Sequence, residues 1–168
     1  MNRTMLDRMK GAALLDVATF TEVEHDTTLT RQAAVVVVIV ALAKAVGAAD
    51  VGLISAIVTA CASLVGWLIW AGVTYLIGDK LLGGTATWGE LLRALGYAQA
   101  PGVLMVFAIL PAIGGLLAFV VSIWTLVAGI VGLREALDFS TGKAVLTAIL
   151  GWLALVIPLM LLEFASMG

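Results

Sequence analysis

At 168 residues the chain is long enough for one domain, or at most two. Apolar residues make up 62% of it and charged residues 12%, with a mean hydropathy of +1.15. An average soluble domain is about 45–50% apolar and about 25% charged, so a water-soluble monomer is excluded. Nine basic and eleven acidic residues leave a net charge of -2, too small and too scattered for a polyanion-binding surface, and nucleic acid is not expected as a partner.

The first 31 residues carry nine charges and no apolar core of seven or more residues, so no cleavable signal peptide is expected there. This cytoplasmic, amphipathic segment (residues 1–31) is predicted to form two short helices. In the first, Met5, Leu6, Met9 and Ala13 share a face, and Asp16 is placed to cap the second. The pair either lies along the inner headgroups or docks on the membrane domain that follows, residues 32–168.

A bilayer core about 30 Å thick needs roughly 20 helical residues. Residues 32–49 are interrupted only by Lys44, close enough to one end to snorkel to the interface, and form span one. Residues 51–78 are 28 uncharged residues and form span two. The Gly83-Gly84 pair then reads as a hinge, and Thr87-Trp88-Gly89-Glu90 as a capping box that starts a helix with Trp88 at interface level. Residues 94–133 are 40 uncharged residues, twice the need of one crossing, with a Pro and two Gly in the middle; they are predicted as a hairpin of spans 94–110 and 112–133. Residues 144–162 give span five, with Pro158 as a kink near its outer end. Continuous apolar runs such as VVVVIV argue against a β-barrel. The fold class expected is therefore all-α, a polytopic bundle of five transmembrane helices.

With the N-terminus inside, eight of the nine Lys and Arg residues fall on the cytoplasmic side and only Lys44 on the other. The positive-inside rule then gives N-in and C-out in a plasma (inner) membrane.

A membrane catalytic or transport site usually shows itself as an ionisable residue at mid-depth, and Lys44, Asp50, Asp79 and Glu163 all lie at span ends. Cys61 and His25 stand alone, so neither a disulfide framework within the chain nor a Cys/His zinc cluster is available. No catalytic residue, metal site or cofactor is predicted. The absence of His from every span removes the usual axial ligand of a haem. The remaining polar signals are structural. Ser55, Thr59 and Ser63 repeat every four residues on one face of span two, flanked by Gly52 and Gly66, and this small-residue face suits close helix packing or, alternatively, a polar path. Pro101 deprives the Tyr97 carbonyl of its helical donor, so a kink supported by the Gln99 amide or a Tyr hydroxyl is expected, with a binding site as the alternative.

Two features, in order and spacing, resemble the Yip-one domain family. One is the Gly-Tyr-x-x-x-Pro element at Gly96, Tyr97 and Pro101; the other is the Gly-Leu-Arg-Glu loop at Gly132, Leu133, Arg134 and Glu135, ahead of Ser140, Thr141, Gly142, Lys143 and Ala144. The resemblance extends over roughly residues 1–165 and implies a cytosolic N-terminal segment, five spans and an outside C-terminus. Eukaryotic members are implicated in vesicle transport and bind prenylated Rab GTPases. The chain lacks the Asp-Leu-Tyr-Gly-Pro element of those members and is similar instead to the short prokaryotic branch, so a Rab-type GTPase is not an expected partner. The expected role is that of a non-enzymatic, membrane-organising or helix-packing subunit, in contact with the bilayer and with a membrane-protein partner or a second copy. A small permease or channel lined by Ser55, Thr59, Ser63, Tyr97 and Gln99, and an accessory subunit of a respiratory or photosynthetic assembly, are the alternatives.

Overall fold

The computed structural model describes residues 3–48 and 52–166, with side chains described up to residue 157. Among them every regular element is helical. Helices α1 (Met5–Ala13) and α2 (Val17–His25) form an N-terminal hairpin. A 3₁₀ turn (Thr27–Leu29) leads into α3 (Thr30–Gly47), and α4 (Leu53–Tyr75) closes in a π-helical segment (Leu76–Leu81). Helix α5 (Trp88–Tyr97) passes into a 3₁₀ stretch (Ala100–Ile109), followed by α6 (Gly114–Ala136) and α7 (Thr141–Ser166). Four stretches are long and apolar enough to cross a membrane: Thr27–Gly47, Leu53–Leu81, Trp88–Ile109 and Gly114–Ala136. The apolar part of α7 described in full is Thr141–Ile157. The kink expected at Pro158 lies outside the residues whose side chains are described.

Local sequence starts each helix where the capping pattern puts it. Thr4 and Asp7 form a reciprocal capping box on α1; the Thr4 hydroxyl and amide hold the Asp7 carboxyl below the usual carboxylate range. Asp16 caps α2, accepting from the Ala18 amide and the Thr19 hydroxyl, and the latter bond lowers its carboxyl in the same way. Thr87 and Glu90 form the expected box on α5, with Thr87 N to Glu90 Oε2 at 2.7 Å and Glu90 N to Thr87 Oγ1 at 3.3 Å. Gly83 takes a φ of +72°, the left-handed conformation that closes the hinge.

The apolar helices run alternately up and down. At one end Arg93 reaches Thr30, Thr85 donates to Asp138 and Lys143 reaches the Leu82 carbonyl. At the other, Gly47 lies against Met105 and Gly114 against Ala108. The segment Trp88–Ile109 is the axis of the bundle, 56% buried, with α2, α3, α4 and α6 all packed on it. In hydrocarbon there is no hydrophobic drive between helices, so close approach of backbones supplies the packing. A Cβ on Gly96 would lie 2.8 Å from that of Ala33, and one on Gly102 would lie 2.6 Å from Cγ1 of Val40. These two glycines set how closely α3 lies along the axis.

The N-terminal hairpin docks on the bundle. Phe20, Val23 and Ala12 are fully buried, and Trp124 Nε1 of α6 donates to the Ala13 carbonyl at 2.6 Å. The apolar face expected on α1 is rotated. Met9 is buried, Met5 and Ala13 are half-buried, but Leu6 is 70% exposed while Arg8 is 9% exposed. The reason is electrostatic: Arg8 faces inward because its partners are there.

Candidate functional site

The elements converge on a polar junction between the hairpin, the start of α3 and the end of α5. Tyr97, with no exposed surface, donates its hydroxyl to Gln32 Oε1 at 2.9 Å. Arg8 donates to that same oxygen at 3.4 Å and to Glu22 Oε1 through Nε at 2.8 Å, with Nη2 also 2.8 Å from Glu22. The guanidinium thereby joins a carboxylate on α2 to an amide on α3, and the amide passes the contact to the axis. A buried charge costs several kcal/mol unless it is paired and hydrogen-bonded in this way (roughly 3–5 kcal/mol for a broken pair).

One turn earlier on α5, Arg93 is 4% exposed and caps the C-terminus of α2. Its Nε donates to the Val23 carbonyl at 2.8 Å and to that of Glu24 at 3.1 Å, while Nη2 also meets the Glu24 carbonyl. Those carbonyls are among the last four of a helix, which have no donor of their own and carry its negative dipole end, so a cation fits there on both counts. Glu24 itself is 7% exposed, with Oε1 3.2 Å from His25 Nδ1, and its Oε2 finds no donor among the described residues. Burial pushes its carboxyl up to about 7; His25 acts against that shift, and Asp138, Glu135 and Glu90 add to it.

The residues singled out in the sequence divide between two places. Gly96 and Tyr97 belong to the junction. Pro101 is buried in the axis, where the chain changes from α to 3₁₀ geometry; Gln99 N bonds to the Gly96 carbonyl at 3.3 Å and Gly102 N to that of Gln99 at 2.8 Å. The break is thus absorbed by the tighter i to i+3 pattern. It is not supported by the Gln99 amide or the Tyr97 hydroxyl, because a 3₁₀ stretch draws its donors from other positions than the one proline lacks.

Gln99 faces the opposite side from Tyr97, into a cleft of about 320 Å³ that it lines with Lys44, Ser63, Gly66, Trp67 and Trp70. The face of span two is therefore split. Ser63 and Gly66 line this cleft, Ser55 and Thr59 are half-buried, and Gly52 is exposed at the start of α4. Tyr97 is not among the residues that line this cleft, and its hydroxyl bonds to Gln32. In the loop motif Arg134 pairs with its neighbour Glu135 at 2.6 Å. Lys143 lies 5.1 Å over the Phe139 ring, and Gly142 is exposed. This loop does not join the junction through any bond among the described residues.

Sequence reading passed over Arg8, Glu22, Gln32 and Arg93, which carry most of the junction. Its partners lie 14 to 70 residues apart, and no local spacing signals such pairs.

A family model described as Yip1 domain matches residues 16–162, from the cap of α2 into α7. No curated protein and no solved structure matches the chain.

Proposed function

The chain belongs to the Yip1 domain family and is a membrane protein; from that premise we propose that it crosses the bilayer five times and acts without enzymatic activity as a membrane-organising, helix-packing subunit. Its N-terminus lies in the cytoplasm, its C-terminus outside, and its membrane is the plasma (inner) membrane of a prokaryote. The clustering of Lys80, Arg93, Arg134 and Lys143 toward the end where α5 and α7 start, with Lys44 toward the other, supports that orientation.

The observation that carries the reading is the exposure of α4. Only 6% of its apolar window is buried, against 56% for the axis, and Leu53, Ile54, Ile57, Val58 and Val65 all point out of the bundle. A span with so much apolar surface left uncovered by its own chain offers that surface to a partner helix or a second copy. The small residues beside it let that helix come close. In a Cys61→Ser background, single cysteines at Ile54, Ile57 and Val65 are oxidised in native membranes. Cross-linked products larger than the monomer are expected at positions repeating every three or four residues. Monomer at all of them removes the reading.

A further inference from the structure

The cleft beside Gln99 goes beyond that reading. Lys44, Ser63 and Gln99 converge on it from α3, α4 and the α5 junction, and none of the three side chains has a hydrogen bond or ion pair among the described residues. The Lys44 side chain is exposed and lines two openings, this cleft and a second one with Gly47, Met105 and Gly114 toward the outer end of the bundle. At about 30 Å³ per water the cleft would hold about ten molecules, more than a bridging site needs. Among the described residues no carboxylate lines it beside the Lys44 ammonium.

The cleft does not end there. Trp70, Thr125 and Gly129 also line an adjoining apolar cavity of about 210 Å³, which shares Leu126, Ile130 and Ala148 with another of about 500 Å³ against Trp152. Polar groups and one cation at one end, then a long apolar groove between α4, α6 and α7, match the division of an amphiphile into head and tail. We propose that this is a binding site for an anionic phospholipid. The phosphate meets Lys44, the Ser63 hydroxyl and the Gln99 amide donate to its oxygens, and an acyl chain lies in the groove past Trp70 and Ile130. Charge complementarity selects the anionic head, and polar groups that line an apolar groove gain from a partner that satisfies them.

The test is native mass spectrometry of the full chain in mild detergent, titrated with phosphatidylglycerol and, separately, with phosphatidylcholine of the same chains. One phosphatidylglycerol adduct is expected, formed in clear preference to phosphatidylcholine. Lys44→Met should weaken it about tenfold, the loss expected for one charged hydrogen bond, and Lys44→Arg should retain it. Leu126→Trp, at an exposed position on the groove wall, should weaken it with Lys44 intact. Equal binding of the two lipids, an unchanged Lys44→Met, or loss in Lys44→Arg as well as Lys44→Met would each overturn the proposal. So would displacement by inorganic phosphate at equal concentration, which would show a free-anion site in place of a lipid one.

Discussion

The Tyr97 hydroxyl and the Gln32 amide oxygen, 65 residues apart and 2.9 Å from each other, tie the axis of the bundle to the first span at the point where Arg8 brings in the N-terminal hairpin. That oxygen adds one link to those that Trp124 makes to Ala13 and Arg93 makes to Val23 and Glu24 in docking the residues before the first span. The hairpin is thus packed and hydrogen-bonded onto the bundle, through part-buried polar bonds as well as buried apolar side chains.

Tyr97→Phe removes one hydroxyl and leaves Gln32 Oε1 with the longer bond from Arg8. The expected loss is about 0.5–1.5 kcal/mol, read as a lower melting temperature in detergent, with faster cleavage of the link between α1 and α2 by added protease. Unchanged cleavage would mean that apolar packing of Phe20 and Val23 holds the hairpin without this bond.

Arg93→Leu strands the carbonyls of Val23 and Glu24 in a buried place. Each unsatisfied acceptor costs about 1–3 kcal/mol, so this substitution should exceed Tyr97→Phe. Arg93→Lys should fall between the two, because an ammonium keeps the charge but lacks the planar fork that reaches both oxygens. Amide exchange across α2, faster in that order, checks the ranking.

Gly96→Ala places a Cβ 2.8 Å from that of Ala33, closer than two such atoms can come. The helices must part, at an expected cost of about 1–3 kcal/mol. Ala33→Gly in the same chain should restore most of it, and a double-mutant cycle on thermal melts measures the coupling.

Glu24 supplies a pH dependence with a definite sign. Its carboxyl rises from 4.5 to about 7 on folding, so the folded state holds the proton more tightly than the unfolded chain. The contribution to stability is complete below 4.5 and is lost as pH rises through about 7. Glu24→Gln keeps a neutral side chain at every pH. It should melt close to the wild type at about pH 5 and above it at about pH 8, and parallel curves would argue against a buried, protonated Glu24.

Much of the architecture is a property of the chain read locally. Whether residues 51–78 can lie in hydrocarbon depends on their own transfer energies, and the capping boxes at Thr4 and Thr87 and the cap at Asp16 need only neighbours two or three residues away. Gly96, Tyr97 and Pro101 could be singled out on the same terms, though not what they touch. Tertiary structure alone decided that Arg8 turns inward while Leu6 turns out, and that the strain at Pro101 is taken up by 3₁₀ pitch. It alone brought Gln32 to the Tyr97 hydroxyl, and gave Lys44 a cleft to line. The inward turn of Arg8 and the bond to Tyr97 are set by groups far away in sequence, brought together by the alternation of the helices. A buried polar side chain such as Arg8 or Tyr97 takes the orientation its distant partner offers, and no pattern of spacing along the chain carries that information.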